Sequence, residues 1–287
     1  MVTGIADVRD ELRAVARDLL ARGQAADGVP WRQLADSGWL GLEVPEELDG
    51  AGLTFAETVV VLEELGRAAV TTSYFGAAVL AAGTLAALEP AAGRDELLRQ
   101  TASGAQILTA AVVDGTDDGL GGAVPFRIED CPAGPRLRGH AGFVPDAAEA
   151  GLLLLLALDP AGTPVVVPLG AGTGGLTVTP QPVVDATRRF GLVRAEAVDL
   201  DGGGVLGFDG DPRTAVGRAG AGVAASMAKS YACAAAVEVA GTAMQLHGGM
   251  GYTWESGIHV YLKRATLNRS LFGSPAAHRR RLARRYT

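Results

Sequence analysis

A chain of 287 residues that is 48% apolar, with a mean hydropathy of +0.21, can fill a core for one large or two to three small packed units, which excludes disorder of the whole chain. The formal net charge of −7 excludes a general nucleic-acid binder, since phosphate contacts need a basic face. The most apolar run, 152–158, is too short to span a bilayer, and the early acids Asp7, Asp10 and Glu11 do not suit a secretion signal, so a cytoplasmic protein is expected.

Ile5, Val8, Leu12, Val15 and Leu19 recur in steps of three and four, which predicts an amphipathic helix ending by Gly23. Pro30 opens a short helix that closes at Gly38. Thr54 and Glu57 have capping-box spacing and predict a helix over 55–68. Ala-rich sequence over 73–88 and 94–102 predicts two more helices, split by Pro90 and Gly93. Short apolar runs follow at 106–113, 124–128, 152–158, 164–168, 176–179 and 192–200. Each is punctuated by Gly, Pro or Asp, as in an antiparallel sheet or small barrel. Helical texture returns over 223–246 and 255–271, and again from Pro275. The expected organisation is α+β: a helical domain over 1–104, a middle β domain over 105–210 and a helical domain over 211–287.

Three details bear on chemistry. Cys131 and Cys233 have no metal-type spacing and read as ordinary thiols of a reducing compartment. His247 and His259 lie twelve residues apart across a glycine turn, so they read as structural histidines rather than a metal or acid–base pair. Arg279, Arg280, Arg281, Arg284 and Arg285 read as a solvated helix face, with a dock for an acidic partner as the alternative.

The stretch Gln245-Leu246-His247-Gly248-Gly249-Met250-Gly251-Tyr252-Thr253-Trp254-Glu255 joins two helices through three glycines. Glycine admits positive φ and close approach of a ligand to the main chain. A helix beginning near Glu255 would offer free N–H groups to a phosphate. Physically this is a helix–turn–helix with a candidate anion cradle, and a plain Gly-rich turn is the alternative.

This string, followed by His259-Val260-Tyr261-Leu262-Lys263-Arg264-Ala265, closely resembles the C-terminal domain of the acyl-CoA dehydrogenase family. Ser37-Gly38-Trp39-Leu40-Gly41-Leu42-Glu43-Val44-Pro45-Glu46-Glu47, Gly50-Ala51-Gly52-Leu53-Thr54 and Leu62-Glu63-Glu64-Leu65-Gly66-Arg67 resemble its N-terminal helical domain. Phe143-Val144-Pro145-Asp146-Ala147 and Asp185-Ala186-Thr187-Arg188-Arg189-Phe190 resemble its middle β domain. The resemblance implies an N-terminal helical domain, a middle antiparallel β domain and a truncated C-terminal helical domain. In the family the glycine loop touches the adenosine-diphosphate half of an FAD bound mainly by a neighbouring subunit. Carried onto this chain, Gln245 would meet the adenosine or ribose region and Gly248, Gly249 and Gly251 would pass close to the diphosphate. Thr253 would be a donor to it. For each of these, capping or turn packing is the alternative role.

The chain departs from the family at three places. The carboxylate that removes the α-proton is absent: Phe272 or Gly273, depending on the alignment of Leu271-Phe272-Gly273-Ser274-Pro275, stands where the family has its Glu. Glu255 is the nearest substitute, with a helix N-cap as its expected role. The helical hairpin with its FAD-holding Arg-x-Gln-Phe-Gly string is missing between the β domain and Gln245, and a gene-calling error would leave the same gap. The flavin-lining segment is replaced by 110–119, and Phe143 stands for the Trp beside the flavin. Asp185 with Arg188 and Arg189 is expected to form a turn and its ion pairs, with a CoA phosphate as an alternative target for an Arg. Tyr252 and Trp254 are expected as interface or core anchors, and the helix over 223–246 is expected to expose an apolar stripe.

This pattern resembles the companion subunits of hetero-oligomeric bacterial acyl-CoA dehydrogenases. It implies FAD shared with a homologous partner subunit, and an acyl-CoA bound chiefly through that partner. A flavin-free enzyme on the same scaffold and a non-catalytic assembly protein remain as alternatives.

Overall fold

A computed structural model describes residues 5–22, 28–113, 124–200, 204–210 and 219–285. Helix α1 (Ile5–Arg22) and helix α3 (Phe55–Ala68) form where the apolar spacing and the capping box place them. Both halves of the box are present, with Thr54 Oγ1 accepting from the Ala56 N–H and Glu57 accepting from the Thr54 N–H. Ala16, Leu20, Val61 and Leu65 close the α1–α3 seam over Leu34 of α2 (Trp31–Asp36), beside Trp39 and Tyr74. Ion pairs flank the seam: Arg9 to Glu57 at 2.7 Å, and Arg17 and Arg67 to the buried Glu64 at 3.0 and 2.6 Å.

The segment expected as one helix over 73–88 instead begins as a π-helical turn, Phe75–Ala81, and continues as α4 (Ala82–Ala86). Gly93 does not separate helices either. It lies in the first turn of α5 (Ala92–Ser103), where nothing lies within 4 Å of the position a Cβ would take.

The sheet contains β1 (Leu108–Ala111), β2 (Phe126–Cys131), β3 (Gly134–Pro145), β4 (Leu152–Leu158), β5 (Pro164–Gly170), β6 (Leu176–Gln181), β7 (Phe190–Asp199) and β8 (Leu206–Gly207). Its order is β6-β7-β3-β2-β4-β5-β8, with β1 added on β4. The sheet is mixed rather than wholly antiparallel, because β1 and β2 both pair parallel to β4. Strand β4 is an unbroken apolar run because both of its faces are covered. Leu153, Leu155 and Ala157 enter the core of the β domain, whereas Leu154 and Leu156 pack with Leu85 and Leu98 of the helices.

Helix α6 (Ala219–Leu246), the short α7 (Gly248–Gly251), α8 (Ile258–Ser270) and α9 (Pro275–Arg285) follow. Half of the expected Gly/Asp/Arg connector over 207–222, most of the flavin-lining segment over 110–119 and two glycines of the expected turn 202–204 lie outside the described residues.

Candidate functional site

The glycine turn is tighter than its sequence suggests. Among its three glycines only Gly248 takes a positive φ, +57°. Gly251 is glycine for a different reason: a Cβ there would stand 2.2 Å from the Met244 carbonyl oxygen. Gly249 has open space around it.

Helix α8 begins at Ile258, not near Glu255. Trp254–Ser256 forms a 3-10 turn, and Gly257, at φ +67°, is the N-cap. Glu255 therefore does not cap α8, and it lies exposed in the preceding turn. The Thr253 hydroxyl donates to the Met250 carbonyl at 2.8 Å, which satisfies it within the turn and leaves its oxygen free only to accept. Gln245, Gly248, Gly249 and Thr253 are exposed, whereas Gly251 is buried.

Tyr252 and Trp254 are not core residues; Trp254 is 78% exposed. The Lys263 Nζ sits 4.6 Å from the Trp254 ring centre, and the His259 ring meets it edge-on at 4.5 Å. His247 holds the Ala243 carbonyl through Nδ1 at 2.8 Å, closing the end of α6. Among the described residues no three His, Cys, Asp or Glu side chains gather as a metal site would need.

At the base position, Phe272 takes φ +53° and its ring packs 6.1 Å from that of Phe75. Phe272 also joins Phe143, Phe190, Leu267 and Leu271 in one apolar cluster. Phe143 is anchored there by its backbone N–H, which donates to Gln181 Oε1 at 2.6 Å. The neighbouring Gly273 is buried at φ +91°. Neither residue can accept a proton. Where the resemblance would set a flavin ring, the aromatic side chains of this chain contact one another.

Two cations in the C-terminal helices, the buried Arg264 and the half-buried Lys229, carry roles that their sequence positions did not suggest. Arg264 donates to Asp185 Oδ2 at 3.1 Å, to the Thr187 hydroxyl, and to the Val70 carbonyl at 3.1 Å. Asp185 thus pairs with Arg264 and not with its sequence neighbours, while Arg189 pairs with Glu149 at 3.1 Å. Lys229 donates to the carbonyls of Asn268 and Leu271, holding the C-terminal end of α8. Burial lowers its pKa. Being one of only two lysines, set in an Ala-rich helix, was the sequence signal for Lys229. Arg264 gave none, because its partners lie 77 to 199 residues away.

The exposed face of α6 lies beside the turn. Met227, Tyr231, Val239 and Leu246 fall within about 120° of one another on the helix, and Tyr231 and Leu246 are 79% and 82% exposed. Among the described residues no helix is long and apolar enough to cross a membrane.

Residues 6–105 match the N-terminal domain of acyl-CoA dehydrogenases and residues 211–287 match their C-terminal domain. The chain is similar to acyl-CoA dehydrogenase IpdE2 of Mycolicibacterium smegmatis, with 30% identity covering 88% of this chain and 86% of the relative. The IpdE2 of Mycobacterium tuberculosis is 29% identical over 94% of this chain and 90% of its own length. The fold is shared with a subunit in the crystal structure of the ChsE4-ChsE5 complex from Mycobacterium tuberculosis, with a TM-score of 0.81, 20% identity, and coverage of 99% of this chain and 98% of that one. The matched helical domains, the intervening β domain and the end-to-end likeness to IpdE2 together make this chain a member of the acyl-CoA dehydrogenase family.

Proposed function

We propose that this chain is the companion subunit of a hetero-oligomeric acyl-CoA dehydrogenase, supplying an interface and one edge of an FAD site to a homologous, catalytically complete partner. The observation that carries this reading is the set of exposed apolar side chains on α6 and in the glycine turn: Met227, Tyr231, Val239, Leu246, Met250, Tyr252 and Trp254. Large apolar side chains gathered in this way, rather than scattered singly, mark a protein contact. The occupant is a homologous subunit because the face belongs to the same helices that carry the family's FAD-edge motif.

The residues of the turn fit one side of a diphosphate and no more. The Gln245 side chain and the backbone at Gly248 and Gly249 are exposed, with no Cβ in the way. When bound, FAD would take the hydride from the acyl-CoA. Gln245, Gly248 and Gly249 would hold its adenosine diphosphate, while the buried Gly251 and the Thr253 hydroxyl, which donates to the Met250 carbonyl, keep the turn in shape. The partner supplies the carboxylate base and most of the acyl-CoA site, since loss of a proton-transfer group typically removes about 10²–10⁴ of rate.

The test is size-exclusion chromatography with visible absorbance, on the chain alone and co-expressed with a flavin-competent homologue encoded nearby. A yellow hetero-oligomer that Tyr231→Asp abolishes, with the Tm of the isolated chain unchanged, is the expected result. A colourless oligomer indifferent to the homologue and to Tyr231→Asp would overturn the reading.

A further inference from the structure

Asp146, at φ +56°, sits where the N-terminal helices meet the β domain. The side chain is buried, and Oδ2 accepts the Gly76 N–H at 3.2 Å, at the start of the π-helical turn. Gly76 has to be bare: a Cβ would lie 2.9 Å from both Asp146 Oδ2 and Thr109 Oγ1. A cavity of about 190 Å³ lies beside Asp146, which lines it with Glu149, Arg189, Thr71, Thr72 and Ser73 together with the apolar Val29, Trp31 and Ile107.

Burial raises the Asp146 pKa to about 7. The Gly76 N–H and the fields of Arg188 and Arg189 pull it down, and Glu149 pushes it up. The other charged groups acting on Arg188 are Asp185 and Arg264, which are engaged with each other. The segment Phe75–Ala86 and strand β1 contribute no charged side chain. Arg189 is tied to Glu149. Arg188 is differently placed: its guanidinium lies 5.6 Å from the centre of the Phe75 ring, and none of the described ion pairs joins it to Asp146. Burial, then the nearby Arg264 guanidinium, lowers the pKa of Arg188, whereas Asp146 and Asp185 raise it.

We infer that Asp146 and Arg188 form a proton-operated latch between the two domains, in which the guanidinium rests on Phe75 while the carboxyl is protonated and moves onto the carboxylate when that proton leaves. A cation over an aromatic face and a cation on a buried carboxylate are alternative placements of one charge. Ionisation makes the second placement stronger, while the carboxylate keeps its Gly76 N–H. The movement withdraws Arg188 from Phe75, the ring against which Phe272 packs. It thereby loosens one edge of the aromatic cluster.

The sign follows from the raised pKa. The folded state holds a proton that the unfolded chain has lost, so this contribution to stability is full at acidic pH and disappears as pH rises through about 7. The experiment is NMR on the isotopically labelled full chain between pH 5.5 and 8.5. It follows the Asp146 carboxyl carbon and the Arg188 Nε–Hε signal, assigned by their loss in Asp146→Asn and Arg188→Lys. Both signals titrating with one shared midpoint within a unit of pH 7, with the Arg188 change abolished in Asp146→Asn, is expected. An Arg188 signal that stays fixed while Asp146 titrates, or an Asp146 midpoint below pH 5, would overturn the latch.

Discussion

Gly249 and Gly251, two residues apart, are glycine for different reasons. Gly251 is required by the fold, since any side chain would drive into the Met244 carbonyl. Gly249 is helical in φ and faces open space, so Ala there costs the fold nothing and relieves some backbone entropy. Gly251→Ala is therefore expected to lower the unfolding free energy by about 1–3 kcal/mol, as overpacking does, while Gly249→Ala leaves it unchanged. Urea unfolding of both variants checks this. If the turn is the edge of a cofactor site, Gly249→Ala retains full stability yet loses flavin from the hetero-oligomer. The spacing of the glycines was legible in the sequence, but their division of labour was not: all three read as turn residues, and the Met244 carbonyl that decides the case is a tertiary neighbour.

Among the elements, the local ones were legible. The capping box at Thr54 and the closures at Gly38 and after Ser103 appear as their residue types dictate. The longest strand, β3, was missed for a physical reason. It opens on Gly134-Pro135, its first inward positions after Leu137 are the small residues Gly139 and Ala141, and two register shifts interrupt its pairing with β7 before the inward Val144. Its alternation therefore carries almost no hydropathy signal. Parallel pairing of β1 and β2 with β4 has no local signature at all.

The α1–α3 seam gives a pH prediction. The Thr54 hydroxyl, then Arg9, hold the Glu57 pKa down to about 2, and Arg17 and Arg67 lower that of Glu64. A depressed carboxylate stabilises the fold above its unfolded pKa and loses that contribution as pH falls. The domain should lose stability from about pH 4.5 towards 2. Thermal melts in this window should be flatter for Glu57→Gln, which starts from a lower Tm. A slope identical to that of the parent chain would remove Glu57 as its source.

At the scale of the whole molecule, Arg264 is where three regions meet. It reaches from α8 to Asp185 and Thr187 of the β domain, and to the Leu65 and Val70 carbonyls behind α3. Tyr261, one turn earlier, donates to the Arg67 carbonyl at 2.8 Å. Removing one partner of a buried pair leaves the other charge without compensation, which costs about 3–5 kcal/mol. Arg264→Met is expected to cost that much and to split the single urea transition into two. A single transition at an unchanged midpoint would show that the regions couple through other contacts. This clasp was invisible in the sequence, where Arg264 is one arginine among many and Asp185 stands beside two closer ones.

The π-helical turn at Phe75–Ala81 sets the phase of everything before it. Each of its carbonyls waits for an N–H five residues on instead of four, so it spends one residue more than an α-helix would over the same rise. Deleting a single alanine from that stretch would restore α-helical winding and rotate the preceding residues by about 100° relative to α4. Tyr74 would leave its buried seat and Phe75 would turn away from Phe272 and Arg188. The contact between the N-terminal domain and the blocked base position is thus a matter of chain length: one inserted residue holds it in register.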